Sequence, residues 1–252
     1  MLTRFFKCEE DFHEWCQHHF SLGIDHVHVF DDGTAFNLEK SCEIYGDSVS
    51  YERVFHPQQQ QLYNRYIPEC TADFIMPIDD DEYLWVSPEL GSIKTAIEYY
   101  VNKYHQFDVF GIRWLYKFPK IFHSERNCGV LEYCTEECDE LATKFSNHGN
   151  AIIKCLVRKS AFVRYMDADE STIRNHIPLT IGSYGAMMCN GHIKNRHYVY
   201  EKLDDEKIRL IHCPYKGYSE YADKRQHHLS VSHQDQRKRE YSAFNSILDT
   251  LL

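Results

Sequence analysis

The stretch Asp73-Phe74-Ile75-Met76-Pro77-Ile78-Asp79-Asp80-Asp81-Glu82-Tyr83 decides how the rest of the chain is read. An apolar run of strand length stops at four consecutive acids, which puts a cluster of carboxylates at the C-terminal end of a buried strand over residues 73–78. Toward the N-terminus, residues 11–23 place Phe12, Trp15, Cys16, His19 and Phe20 at helical spacing, and residues 25–32 alternate like a strand. With a strand over residues 3–7 this makes a β-α-β start. A further strand is expected at 49–55, and a helix at 58–69 entered through the Gln58 to Gln61 run after Pro57. Toward the C-terminus the pattern predicts a helix over 92–104 and strands over 107–118, 151–157 and 208–212. Segments 128–150 and 167–191 carry little periodicity and read as loops or short helices over the binding edge.

Alternating strands and helices imply an α/β fold, Rossmann-like, with a mostly parallel central sheet flanked by helices. In such sheets ligands bind outside the carboxyl ends of the strands. The 252 residues carry no repeat and no Pro-rich or Gly/Ser-rich linker, so a single domain over 1–252 is expected. Apolar residues at 43% and charged residues at 26% exclude a disordered chain. Lys and Arg total 28 against 38 Asp and Glu, a net charge of −10, which argues against a general nucleic-acid binder. No apolar run approaches the ~18 residues of a membrane span, and the N-terminus turns polar too soon for a secretory signal. A cytoplasmic chain with its ten cysteines reduced is the expectation.

The chemistry starts from the acids. Four adjacent carboxylates repel one another, and in an extended segment Asp79 and Asp81 share a face. A divalent cation relieves the repulsion, and oxygen ligands favour a hard ion such as Mg²⁺ or Mn²⁺ bridging carboxylates to substrate phosphates. The same run also fits a solvated acidic turn. His212, at the end of the late strand, can supply a nitrogen ligand, and Lys216 just beyond it can pair with a phosphate. Trp114, Tyr116 and Phe118 alternate on one strand face, a pattern that suits either sugar stacking or a core.

Several motifs together resemble the family-2-like and family-92-like glycosyltransferases of GT-A fold. They are Lys7-Cys8-Glu9, Glu14-Trp15, His19, Leu22-Gly23 and Asp31-Asp32, then Gln60-Gln61, Tyr63-Asn64 and the Asp79-Asp80-Asp81-Glu82-Tyr83 block, matching that family's DXD motif. The series His212, Lys216, Glu220, Tyr221, Lys224 completes them. The resemblance runs from about residue 5 to 225, with Cys8 where the family has Asn and Gly217 where it has Ser.

What the resemblance implies is transfer of a sugar from a UDP- or GDP-sugar donor to an acceptor hydroxyl, on a glycan, assisted by Mn²⁺ or Mg²⁺. Asp81 is then the direct metal ligand, with Asp79 facing the ribose or a metal-bound water and His212 completing the set. Lys216 neutralises the diphosphate. Lys7, Glu9, Asp31, Asp32 and Asp80 belong to the nucleotide-sugar side, and Trp114 contacts the acceptor. Asp31-Asp32-Gly33 equally fits an ordinary turn. An inverting transferase needs a carboxylate to take the acceptor proton. Asp167, Asp169 and Glu170, after the 151–157 strand, suit that requirement, and they also suit an exposed helix cap. Two other readings stay open, a metal-dependent nucleotidyltransferase and a non-catalytic sugar-binding domain. The first usually has a Gly-rich phosphate loop near the N-terminus, which this sequence lacks.

Overall fold

The structure is a computed structural model and describes residues 1–5, 8–34, 36–55, 59–120, 126–137, 153–165, 178–184, 186–189, 200–203, 205–214 and 216. Its first third alternates β1 (Leu2–Phe5), α1 (Glu9–Ser21), β2 (Val27–Asp31), α2 (Leu38–Glu43), β3 (Val49–Arg53) and α3 (Gln59–Tyr66). The three strands form a parallel ladder in the order β1-β2-β3. On the other side of β1 the chain returns as β4 (Phe74–Ile75) and its continuation. Leu2 bridges Pro77 in parallel, with the Met76 carbonyl accepting from Leu2 N–H at 3.1 Å and the Leu2 carbonyl from Ile78 N–H at 3.0 Å. Strand order therefore reverses at β1, the place where an open α/β sheet leaves a crevice at its carboxyl edge.

Local chemistry explains these elements. α1 carries Glu9, Glu10 and Asp11 in its first turn, where the helix dipole favours negative charge. It stops because Gly23 takes φ +82°. That left-handed residue lets Gly23 N–H donate to Phe20 O and Ile24 N–H to His19 O, capping the last carbonyls. β2 is buried along its whole length, as a parallel strand covered on both faces should be. Val27 and Val29 face Phe12, Trp15 and Cys16 of α1, while Phe30 faces Leu62, Tyr63 and Ile67. Each fully buried side chain of this size contributes roughly 1.5–3 kcal/mol.

The second part is a mixed sheet. Its elements are β5 (Glu82–Val86), α4 (Ile93–Lys103), β6 (Val109–Pro119), α5 (Val130–Tyr133), β7 (Cys134–Glu137), β8 (Ile153–Arg158), β9 (Phe162–Tyr165), β10 (Pro178–Thr180), β11 (Ala186–Cys189), β12 (Tyr200–Leu203) and β13 (Ile208–His212). The 11-residue β6 organises it. Residues 109–113 pair antiparallel with β8 and 109–111 pair parallel with β11, while 114–116 pair parallel with β13 and 117–119 antiparallel with β7. β8 in turn pairs with β4, which joins the two parts.

The expected α/β architecture holds, but only the first part is wholly parallel; the second mixes the parallel pairs β6–β11, β6–β13 and β11–β12 with antiparallel ones, so the sheet as a whole is mixed rather than mostly parallel. Two further expectations need correcting. Segments 128–150 and 167–191, read as loops or short helices, contribute β7, β10 and β11; strands of three or four residues are too short to show a period, and β11 is specified by its place beside β6. The four acids also do not all end one strand, because Glu82 opens β5. No described helix is long and apolar enough to cross a membrane.

Candidate active site

Asp79 to Glu82 form a tight turn between β4's continuation and β5, with Glu82 N–H donating to Asp79 O at 3.1 Å. The Glu82 carboxylate closes the turn from the other side, accepting from Asp79 N–H at 2.7 Å. The extended-segment rule that put Asp79 and Asp81 on one face does not apply inside a turn. The carboxylates instead meet different partners, each delivered by strand register.

β5 and β13 are antiparallel, and their pairing ends with His212 opposite Glu82. Cys213 N–H then donates to Asp81 O at 2.8 Å, so the pairing runs on into the turn. This places His212 Nε2 3.4 Å from Asp81 Oδ1. The imidazole packs against Trp114 and Tyr116, with ring centroids 4.3 and 5.0 Å away. Its Nδ1 is buried with no hydrogen-bond partner among the described residues. Lys216, four positions on, turns back so that its ammonium reaches Asp80 Oδ2 at 2.8 Å and lies 3.6 Å from Asp11 Oδ2 on α1. Arg126 also pairs with Asp11 and lies 3.7 Å from Glu14, tying α1 to the segment before α5.

Asp79 is held by residues that the sequence reading did not single out. Lys154 of β8 donates to Asp79 Oδ2 at 2.8 Å and lies 3.6 Å from Glu82 Oε2, and Gln59 at the start of α3 donates to Asp79 Oδ1 at 2.8 Å. Register explains the lysine: Phe74 pairs Arg158 and Ile75 pairs Val157, and the same count carried on sets Lys154 opposite Ile78. A charged residue in the middle of Ile152-Ile153-Lys154-Cys155-Leu156-Val157 was the available signal. Burial works to raise the Asp79 carboxyl, but Lys154 and Gln59 outweigh it and hold the group below the usual carboxylate range. Burial pushes Glu82, fully enclosed, well above that range. Lys154 is raised despite burial because Asp79 and Glu82 face it.

The other expected site residues fall in three groups. Asp31 and Asp32 lie on the same carboxyl edge at the end of β2, in a turn where Gly33 takes φ +93°. Asp31 Oδ1 accepts from Thr34 N–H at 2.9 Å, while Oδ2 accepts from Tyr51 hydroxyl at 2.8 Å and pairs with Arg53. Burial works against ionisation of Asp31, and these donors outweigh it and hold its pKa down. Glu9 accepts from the Ser41 hydroxyl and lines a cavity of about 450 Å³ with Asn37, Lys40 and Ile44. Trp114 is buried beside His212, and Tyr116 stacks on Phe118 at 6.1 Å, so these aromatics do share a face. Lys7, Asp167, Asp169 and Glu170 lie outside the described residues, as do Glu220, Tyr221 and Lys224.

The remaining motif residues bolt the scaffold. Trp15 Nε1 donates to Glu82 O at 2.9 Å, His18 Nε2 lies 2.7 Å from Leu84 O, and Leu84 N–H donates to His19 Nε2 at 3.1 Å, which fastens α1 to β5. Asn64 bonds both backbone groups of Tyr165.

Among the described residues, no three His, Cys, Asp or Glu side chains are grouped as a ligand set. The Asp81–His212 pair offers one oxygen and one nitrogen, with an orphaned imidazole nitrogen beside it. Such a pair would supply two ligands of a divalent ion, with the remaining ligands coming from elsewhere.

No family model matches the chain, and no curated protein matches it. Among solved structures it is similar to S. aureus TarS 1–349, at 9% identity over 94% of this chain and 68% of that one, with a TM-score of 0.40. Against the longer S. aureus TarS structure, identity is 10%, the TM-score is 0.39, and the match covers 94% of this chain but only 40% of that one. For S. aureus TarS 1–349 in complex with UDP-GlcNAc the values are 11% identity, 81% and 59% coverage, and a TM-score of 0.39.

Proposed function

We propose that the chain is a glycosyltransferase that moves a sugar from a UDP- or GDP-sugar to an acceptor hydroxyl, with Mn²⁺ or Mg²⁺ at Asp81 and His212. One observation carries this reading. At the carboxyl edge where strand order reverses, β13 delivers His212 to Asp81 and its extension delivers Lys216 to Asp80.

The chemistry follows from these residues. Asp81 and His212 would hold the divalent cation, which when bound would lend positive charge to a departing diphosphate. Lys216 exchanges Asp80 for a phosphate oxygen and adds a point charge to the same leaving group. Asp79, held on both oxygens by Lys154 and Gln59, presents a fixed acceptor to donor hydroxyls. The turn shaped by Asp31 and Asp32, together with Glu9 and Lys7, borders the nucleoside, and Trp114 lies toward the acceptor. In a single displacement the acceptor oxygen bonds to the anomeric carbon as the bond to the diphosphate oxygen breaks. The acceptor proton passes to a carboxylate among Asp167, Asp169 and Glu170, and the anomeric centre inverts.

Calorimetry with UDP and GDP, in Mn²⁺ and then in excess EDTA, tests the reading. Binding that is largely lost in EDTA is expected, and equal affinity in both buffers overturns it.

A further inference from the structure

Lys154 sits in mid-strand at 1% exposure, between a carboxylate it touches at 2.8 Å and a second at 3.6 Å. Its ammonium also lies 5.9 Å from the centroid of Trp114, the ring that packs on His212. A buried ammonium is costly unless paired, so its place in an apolar strand calls for a counter-charge. Asp79 supplies that charge, and Gln59 takes the oxygen that Lys154 leaves. Asp81, two residues on, meets His212 instead.

We infer that Lys154 is a positioning residue of the proposed donor site. By pairing with Asp79 it fixes that carboxylate and offsets its charge next to Asp81 and His212, so a divalent cation is held weakly until a diphosphate adds its own oxygens. The inference rests on the proposed function. Its physical basis is that a positive charge near a cation position opposes binding there, while a carboxylate near it favours binding.

The probe is Mn²⁺ alone, titrated by electron paramagnetic resonance against the wild-type chain and its variants. Lys154→Met, which removes the charge and keeps the length, is expected to bind Mn²⁺ about tenfold more tightly, and Asp79→Asn about tenfold more weakly. Lys154→Arg should return the wild-type affinity. A merely structural lysine predicts no tightening. Unchanged or weaker Mn²⁺ binding in folded Lys154→Met overturns the inference. Should that variant fail to fold, Asp79→Asn combined with Lys154→Met removes both members of the 2.8 Å pair at once. The double variant is then expected within about threefold of wild type, and a tenfold loss overturns the inference. A wild-type chain that binds Mn²⁺ neither alone nor with UDP overturns the proposed function and the inference with it. Wild-type binding that the variants leave unaltered overturns the inference alone.

Discussion

Two acidic strand ends share the carboxyl edge of the sheet, Asp31-Asp32 after β2 and Asp79-Asp80-Asp81 after β4, and their partners come from different distances along the chain. Asp31 is satisfied by Thr34, Tyr51 and Arg53, 3 to 22 positions away. Asp79 and Asp80 meet Lys154 and Lys216, 75 and 136 positions away. A carboxylate whose neighbours saturate it locally shapes a turn. One that draws buried cations from remote segments costs desolvation at each of them, and on this convergence rests the proposal that chemistry is assembled at the second end.

Substitutions can break or sharpen this contrast. The largest effect is expected at Asp81→Asn, which removes a charge from the proposed cation position with little change in volume. Turnover of a nucleotide sugar should fall on the order of a hundredfold to a thousandfold. The thermal midpoint should move little; near-normal turnover would dissolve the distinction between the two ends. Asp31→Ala should behave in the opposite way, costing about 2–3 kcal/mol in denaturant unfolding because Arg53, Tyr51 and Thr34 lose their acceptor. A tenfold loss of UDP affinity with unchanged stability would move Asp31 from turn former to ligand contact.

β2 also carries a pH dependence of the local kind. Burial lowers His28 from 6.5 to about 3, and it lowers His19 well below its ordinary value. Both stay neutral in the folded chain while the unfolded chain takes up protons, so their stabilisation is complete above pH 6.5 and is lost as pH falls below it. For His28 the loss is about 2 kcal/mol at pH 5. Denaturant unfolding at pH 8 and pH 5 measures it, and His28→Gln should flatten the slope. The smallest effect is expected at Tyr51→Phe, which removes one donor to Asp31 for about 1 kcal/mol. Nucleotide affinity in that variant should stay within about twofold of wild type, well under the tenfold that 1.4 kcal/mol represents.

The same contrast explains what could be read in the sequence. α1, β2, α3 and α4 show their period because each buries one face or two, and their bounds are met within a few residues. Asp79 to Asp81, His212 and Lys216 were recognisable as chemistry-bearing residues, and the register of β5 on β13 does bring the last two to the acids. Lys154 and Gln59 were not singled out as site residues, because what they touch depends on the β4–β8 pairing and on where the start of α3 packs, which no local pattern encodes. β11 was missed for a similar reason: Met187 and Met188 are indifferent strand formers, and β6 specifies their conformation. The Trp15, His19 and Asn64 motif positions prove to be fasteners of the scaffold that holds the turn.

The central claim is that Asp81 and His212, joined only by the folding of β13 onto β5, act as one cation-dependent nucleotide site. A double-mutant cycle on UDP affinity in saturating Mn²⁺, with Asp81→Asn, His212→Gln and the pair, tests it most directly. The account predicts that each single variant loses about tenfold or more and that the double is no worse than the weaker single. Single variants that bind UDP as the wild type does, or losses that multiply in the double, would contradict it.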